Sequence, residues 1–217
     1  MIDFHTHSLL SDGDLLPAEL IQRAYVAGYH AIGITDHVDS GNMEEVVRQI
    51  TTVCRDIRPH SGIIPIPGVE ITHVPPQMIP KLAKGARELG ARLVIVHGET
   101  VVEPVPPGTN RAALLSEIDI LAHPGLITAE DVQLAKEHGI YLEISARKGH
   151  CLTNGHLVRL AREIGVLSLL VISSDAHSPG DCLTEERQRL IGLGAGLFPE
   201  EVEKIVENKK RLLERVK

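Results

Sequence analysis

Seven short apolar segments, separated by longer amphipathic ones, constrain the fold of this chain more than any other feature. The segments predicted as strands are residues 1–5, 31–35, 63–69, 93–96, 118–122, 141–145 and 169–173. Most are almost wholly apolar, which is typical of parallel strands buried on both faces. Helices are predicted over residues 17–27, 44–57, 76–89, 112–117, 129–138, 154–164 and 199–216.

This alternation of strands and helices predicts repeated βαβ units. In a chain of 217 residues we expect an α/β fold with one domain over residues 1–217, a distorted (β/α)7 TIM-like barrel. An open doubly wound sheet is the alternative. It is disfavoured because no GxGxxG motif follows the first strand and no P-loop lysine motif is present.

Composition and charge restrict the expected partners. The formal net charge is −7, aromatic residues make up 2% of the chain and there is no Trp. Proteins that bind nucleic acids usually carry a basic face, often with aromatic rings for stacking, so nucleic acid is an unlikely partner. The basic stretch Lys209-Lys210-Arg211 is interpreted as the solvated face of the last helix. A small phosphorylated substrate stays possible, because bound cations can outweigh the acidic balance locally.

The cysteines and the N-terminus indicate a compartment. Cys54, Cys151 and Cys182 are widely spaced and odd in number, which favours reduced thiols over a disulfide framework. The first residues lack the charged and apolar regions of a secretory signal. No apolar run approaches the ~20 residues that cross a bilayer. We therefore expect a cytoplasmic protein with no membrane association.

The chain has 12 histidines, and many lie where predicted strands end. In parallel barrels the loops that follow the strands form the active site. The polar side chains at or after the seven strand ends are His5, His7 and Asp12; Asp36 and His37; Glu70 and His73; His97 and Glu99; His123; Arg147, Lys148 and His150; Ser174, Asp175 and His177. The sixth strand also contains Glu143. This convergence predicts one site with metal-binding capacity.

Two local patterns support ion binding. His5-Thr6-His7 and Asp175-Ala176-His177 share a spacing that projects both side chains to one side of an extended chain. Either alone is as easily an ordinary polar strand end. Glu70 is the one carboxylate in an apolar stretch, and burial would leave it in need of a cation. A single histidine such as His97 is usually a hydrogen-bonded core imidazole, but the number of matching positions favours ligands.

The sequence resembles the PHP (polymerase and histidinol phosphatase) superfamily, in particular its stand-alone members that are similar to histidinol phosphate phosphatase. The matching segments follow the family order across almost the whole chain. They are His5-Thr6-His7-Ser8, Ser11-Asp12-Gly13, Gly33-Ile34-Thr35-Asp36-His37, Gly68-Val69-Glu70, His97, Ala122-His123-Pro124-Gly125 and Ser174-Asp175-Ala176-His177. The resemblance implies a distorted (β/α)7 barrel that holds up to three ions.

The resemblance also implies which residues would bind two to three divalent ions. The first ion would be bound by His5, His7, Glu70 and Asp175. Glu70 would bridge to a second ion, which His97 and His123 complete. The third would be bound by His37, His177 and Asp12, where Asp12 takes the place of a histidine found in some members. Imidazoles with carboxylates suit Zn, Mn and Fe.

The expected activity is hydrolysis of a small, histidinol-phosphate-like phosphomonoester by hydroxide activated at the metal cluster. Asp175 would orient the nucleophile, and His177 or a metal-bound water would protonate the leaving group. Arg147 is the first candidate for binding phosphate, because a guanidinium can contact it bidentately. Lys148, His150 and His73 are secondary candidates and Arg111 a weaker one. A solvated loop is the alternative for Arg147-Lys148.

Other functions remain open at this point. The same cluster could serve a phosphodiesterase, an exonuclease or a C–N amidohydrolase, because activated hydroxide does not itself choose the bond. A non-catalytic metal-binding module is a further alternative, although all nine predicted ligand positions hold metal-capable residues. The remaining histidines, His30, His60, His138 and His156, are given no role.

Overall fold

A nearly closed barrel of parallel strands organises the protein. The structure is a computed structural model that describes residues 1–217. Its strands are β1 (Ile2–Asp3), β2 (Ala31–Ile34), β3 (His37–Val38), β4 (Ile64–Ile71), β5 (Leu93–His97), β6 (Ile120–Ala122), β7 (Tyr141–Ser145) and β8 (Leu170–Ser173). The barrel path runs β1-β2-β4-β5-β6-β7-β8, and the short β3 pairs with β4. The predicted seven-stranded barrel is confirmed.

Eight helices surround this barrel. They are α1 (Pro17–Val26), α2 (Met43–Ile57), α3 (Ile79–Leu89), α4 (Thr109–Leu114), α5 (Ala129–His138), α6 (Asn154–Ile164), α7 (Glu185–Gly194) and α8 (Pro199–Val216). The sequence analysis did not predict α7, because the first turns of this helix are charged and show no apolar stripe. Only the N-cap residue, Thr184, marks its start. None of the helices is both long and apolar enough to cross a membrane.

The helix α4 begins three residues before the predicted position. The side chain of Glu99 accepts hydrogen bonds from the backbone N–H groups of Gly108 and Asn110, at 3.1 and 2.8 Å. These are donors that the first turn of a helix cannot satisfy internally. Glu99, which follows β5, therefore serves to begin this helix and is directed away from the strand-end cluster.

Two hydrophobic layers hold the barrel together. Side chains on the outer faces of the strands pack against α1 to α6 in a single core. The inner faces contribute a second cluster that includes Phe4, Ile66 and Ile95. Leu212 and Leu213 of α8 belong to this inner cluster. The last helix thus closes the end of the barrel opposite the strand-end cluster.

The first and last strands are joined by isolated contacts in place of a ladder. The N–H of His7 donates to the carbonyl oxygen of Ala176, at 2.8 Å. Below it, the buried carboxylate of Asp3 accepts from the N–H groups of His5 at 3.3 Å and Ser174 at 3.2 Å. These contacts hold two chain segments side by side, and both segments carry predicted ligands.

The interpretation of Lys209-Lys210-Arg211 as a solvated face is wrong for Lys209. This side chain is only 2% exposed, and its Nζ donates to Oε1 of Gln188 at 2.5 Å. Lys209 lies on the same helical stripe as Ile205 and Leu212, which α8 buries against the barrel. Burial lowers the pKa of Lys209 to about 8, although Asp3 and Glu143 oppose this shift. Lys210 and Arg211 are exposed, as expected.

Candidate metal centre

The predicted ligands converge at the carboxyl ends of the strands, where they form three groups. In the first group, Nε2 of His5 lies 3.3 Å from Oε2 of Glu70, and Nε2 of His7 lies 3.4 Å from Oδ1 of Asp175. All four side chains are buried. His5, His7 and Asp175 each direct a donor atom to a common point. This is the group predicted for the first ion.

The second group lies nearer the surface and contains Asp12, His37 and His177. Oδ1 of Asp12 lies 3.2 Å from Nε2 of His177 and 3.5 Å from Nε2 of His37. His7 also directs a nitrogen to this group. The carboxylate of Asp12 is half-exposed, and the neighbouring imidazoles lower its pKa although partial burial opposes the shift. The structure thus brings together the residues predicted for the third ion.

The third group differs from the predicted second ion site. His97 and His123 lie with His150, which the sequence analysis predicted to bind substrate. Nε2 of His123 is 3.4 Å from Oε1 of Glu70, so the two side chains would be able to bind a common ion. Nε2 of His97 instead lies 3.0 Å from Oε2 of Glu103.

Two acidic residues in the site were not predicted as site residues. Oε2 of Glu143, in β7, lies 2.6 Å from Nδ1 of His5. Glu103, in the loop after β5, lies beside His97, His73 and His150. Glu143 carried a detectable signal, because an acidic residue in an otherwise apolar strand needs a partner. Glu103 carried none, since it lies six residues past the end of β5 in a loop of Val and Pro residues without a periodic pattern.

The backbone is strained at the site. His73, His123 and Asp175 are the three non-glycine residues with positive φ, at 52°, 27° and 53°. Side chains rarely adopt this region, and such strain concentrates at functional sites because the surrounding structure must hold it. Two of the three are predicted ligands, so the fold positions these side chains at an energetic cost.

A buried carboxylate fixes the loop that carries His7 and Asp12. Asp36 is fully buried, and it accepts hydrogen bonds from the N–H and hydroxyl of Ser8 and from the hydroxyl of Ser11, each at 2.8 Å. Asp36 is therefore a support for this loop, and its oxygens are already occupied.

The donor atoms fit bound cations. Several buried polar atoms make no hydrogen bond: Nε2 of His5, both ring nitrogens of His7, both carboxylate oxygens of Glu70 and Nδ1 of His123. Buried polar groups without partners are rare and costly. Their concentration at one place therefore indicates a bound ligand. Nitrogen and carboxylate donors together match zinc, manganese and iron.

The charge balance of the site also calls for cations. Burial alone would raise the pKa of Glu70, but His5 and His37 hold it well below the usual value. Burial alone would lower the pKa of His5, but Glu143 and other carboxylates raise it well above the usual value. Burial lowers the pKa of His150 to about 4 and that of His7 to about 3. The carboxylates therefore stay ionised, and a proton on His5 balances part of their charge, whereas His7 and His150 stay neutral.

A polar cavity of about 360 Å³ opens above these groups. Its lining contains no hydrophobic residue: Ser11, Asp12, His37, Asn42, Thr72, His73, Glu103, His123, Arg147, His150, Asp175 and His177. Three predicted substrate-binding residues, Arg147, His73 and His150, line it. Lys148 is exposed and does not. Arg111 does not line it either, and its guanidinium pairs with Asp131 at 3.1 Å.

Arg147 contacts two residues of the site. Its Nη1 lies 2.7 Å from Nδ1 of His177 and 3.2 Å from the carbonyl oxygen of Asp175. The same Nδ1 lies 3.0 Å from that carbonyl oxygen. With a proton on Nδ1, His177 donates to the carbonyl and its Nε2 can bind a cation. Without it, Nδ1 accepts from Arg147 and Nε2 carries a proton. The tautomer of His177 thus sets whether its Nε2 can bind a cation.

The architecture resembles that of several solved hydrolases. An amidohydrolase structure gives a TM-score of 0.61 at 13% identity, covering 99% of this chain and 74% of the other. A protein from Listeria monocytogenes that is described as a histidinol phosphatase gives 0.58 at 12% identity, covering 83% and 97%. At these identities the likeness is one of fold.

The sequence comparisons identify the family. An uncharacterized protein of Methanocaldococcus jannaschii is 48% identical over 217 residues, which is 99% of each chain. A 5'-3' exoribonuclease of Haemophilus influenzae is 37% identical over 70 residues, 32% of this chain and 23% of its own. The model of the PHP domain matches residues 3–189, which include every predicted metal ligand. The chain therefore belongs to the PHP domain family, whose members are typically metal-dependent hydrolases.

Proposed function

We propose that this protein is a metal-dependent phosphoesterase that hydrolyses a small, histidinol-phosphate-like phosphomonoester. The observation that carries the proposal is the wholly polar cavity of about 360 Å³, which is lined by Arg147 together with metal-capable residues such as His123 and Asp175. A volume of this size is at the lower end for small-molecule sites. It accommodates a phosphoryl group with a small alcohol.

Three groups of the cluster would hold ions: His5, His7 and Asp175 with Glu70; His97 and His123 with Glu70; and Asp12, His37 and His177. When bound, divalent ions would neutralise the phosphoryl charge and supply a water acidic enough to attack phosphorus near neutral pH. We assign Asp175 the orientation of the attacking water, since its carboxylate lies between the imidazoles of His7 and His123.

Arg147 is assigned to the phosphoryl oxygens. Its guanidinium is half-buried at the cavity wall, where it contacts the carbonyl oxygen of Asp175, Nδ1 of His177 and, at 4.0 Å, a carboxylate oxygen of Asp175. A dianionic phosphate would be a stronger acceptor for its donors. Lys148 stays a weaker candidate, because its side chain lies outside the cavity.

His177 has two possible roles, which leaving-group chemistry separates. If its Nε2 protonates the leaving oxygen, replacing His177 with Gln will slow an alkyl phosphate far more than p-nitrophenyl phosphate, whose leaving group needs no proton. If it only binds the third ion, both substrates will slow equally and the protein will lose that ion. Metal content measured beside the two rates decides between the roles.

The direct test of the proposal is a substrate panel on protein reconstituted with Mn, Zn or Fe. The panel contains histidinol phosphate, p-nitrophenyl phosphate, bis-p-nitrophenyl phosphate, a 5'-phosphorylated RNA oligomer and an N-acyl amino acid. We expect monoester hydrolysis to exceed diester hydrolysis. Inactivity on every phosphoester with all three metals would contradict the proposal.

A phosphodiesterase or exonuclease is the second candidate. It is favoured by the 70-residue similarity to the 5'-3' exoribonuclease of Haemophilus influenzae. The net charge of −7 and the 2% aromatic content argue against an extended nucleic-acid track. In the same panel, release of nucleotides from the RNA oligomer without monoester turnover would favour this candidate.

A further inference from the structure

We propose that His150 and Glu103 are metal ligands, which complete the ion site formed by His97 and His123. In this arrangement the chain segments after β5, β6 and β7 all contribute donors to one ion. His150 supplies a third imidazole, and Glu103 supplies a second carboxylate beside Glu70. The inference rests on the metal-dependent function proposed above and gives that function a fuller ligand set.

The three imidazoles form a compact buried group. His97, His123 and His150 are 3%, 2% and 4% exposed, and each offers a nitrogen within 4.8 Å of the other two. Nitrogens that bind one ion at about 2.1 Å are at most about 4.2 Å apart, so small ring rotations bring all three to a common ion. The rings of His123 and His150 are stacked, with centroids 4.2 Å apart and planes inclined by 18°.

The orientation of His150 is that of a metal ligand. Its Nδ1 lies 2.8 Å from the hydroxyl oxygen of Thr100, while its Nε2 points towards the acidic groups of the site. A hydroxyl that accepts the Nδ1 proton leaves the Nε2 lone pair free. Histidines that bind metals characteristically hold their second nitrogen in this way. A histidine that only filled the core would need no such free nitrogen.

The carboxylate of Glu103 lies where a shared ion would draw it. Its Oε2 is 3.0 Å from Nε2 of His97, and its Oε1 is 3.4 Å from Nε2 of His150. Among the predicted ligands of the first ion, the separation between His5 and Glu70 is 3.3 Å. Donors on one ion are typically separated by such distances, since each lies about 2 Å from the metal. Glu103 thus meets the same geometric condition as the predicted ligands.

Metal titration without substrate tests this assignment. The variants are His150→Asn, Glu103→Gln and Thr100→Val, with His138→Asn, an exposed histidine at the end of α5, as the matched control. Zinc affinity and stoichiometry are measured by competition with chelators and by elemental analysis. We expect His150→Asn and Glu103→Gln to lower the affinity for one ion by more than about 100-fold, and Thr100→Val to lower it by about 10-fold. The control should match the wild type.

The assignment would be overturned if His150→Asn kept the affinity and stoichiometry of the wild type while the KM for the phosphoester rose, because His150 would then bind substrate. Should the variant fail to fold, anomalous diffraction from wild-type crystals grown with zinc decides the question. An ion within about 2.3 Å of Nε2 of His150 supports the assignment, and an ion on His97 and His123 alone contradicts it. Neither readout depends on which bond is hydrolysed, so failure of the proposed function would be seen separately.

Discussion

Nδ1 of His5 lies 2.6 Å from Oε2 of Glu143, and both side chains are fully buried beneath the cluster. This contact directs Nε2 of His5 towards Glu70 and Asp175. A carboxylate that holds the second nitrogen of a ligating histidine fixes its tautomer and strengthens it as a donor. Glu143 would therefore act through His5 on an ion bound there.

Replacing Glu143 with Gln should lower the affinity for the first ion by about 10- to 100-fold, because an amide oxygen accepts a weaker hydrogen bond from Nδ1 of His5 than a carboxylate does. Zinc affinity measured by chelator competition checks this expectation. The control is Glu137→Gln, an exposed position on α5. Equal affinities for the two variants would show that Glu143 does not support a bound ion.

The buried Lys209 predicts a pH-dependent stability. Its folded pKa is about 8, below the reference value of 10.5, so between these pH values the unfolded state binds more protons than the folded one. The contribution of this group to the free energy of unfolding therefore rises with pH across that window, by at most about 3 kcal/mol. Denaturant unfolding of the wild type and of Lys209→Met at several pH values measures it.

The free energy of unfolding of the wild type, minus that of Lys209→Met, should rise from pH 8 to 10.5. Lys210→Met, which changes the exposed neighbour, should show no such trend. A difference that stays constant across the window would mean that the folded protein does not depress the pKa of Lys209.

His123 distinguishes a working cluster from a vestigial one. Its Nε2 faces both Glu70 and Asp175, so His123→Ala should reduce bound metal and lower kcat at least about 100-fold. His60→Ala, at an exposed position, is the control. Turnover and metal content that both survive in the His123 variant would show that the site is assigned wrongly.

Two adjacent residues test how the phosphate is held. Arg147→Ala should lower kcat/KM for a phosphomonoester about 10- to 100-fold through loss of charge-assisted hydrogen bonds, with metal content unchanged. Lys148→Ala should have little effect, because this side chain is exposed outside the cavity. Steady-state kinetics on both variants provide the comparison, and a larger loss for Lys148→Ala would reverse the assignment.

The residues at strand ends made much of the fold and site predictable. Apolar segments fix parallel strands, and the carboxyl ends of such strands meet at one mouth, so His5, His97 and Asp175 could be placed together from sequence. Glu103 could not, because it lies in a loop whose path no periodic pattern determines. The pairing of Glu143 with His5 spans 138 positions, which local sequence does not encode. The burial of Lys209 was not predicted, because its charge was given more weight than its position on the buried stripe of α8.

The central claim, that bound metal ions make this site a phosphoesterase, is tested most directly by removing and restoring the ions. Turnover of p-nitrophenyl phosphate is measured on protein stripped by chelation, then after stepwise addition of Mn, Zn or Fe, with bound metal quantified at each step. The account predicts no turnover in the stripped protein and recovery in proportion to the ions bound. Turnover that persists after complete removal, or stays absent at full occupancy with each metal, would contradict it.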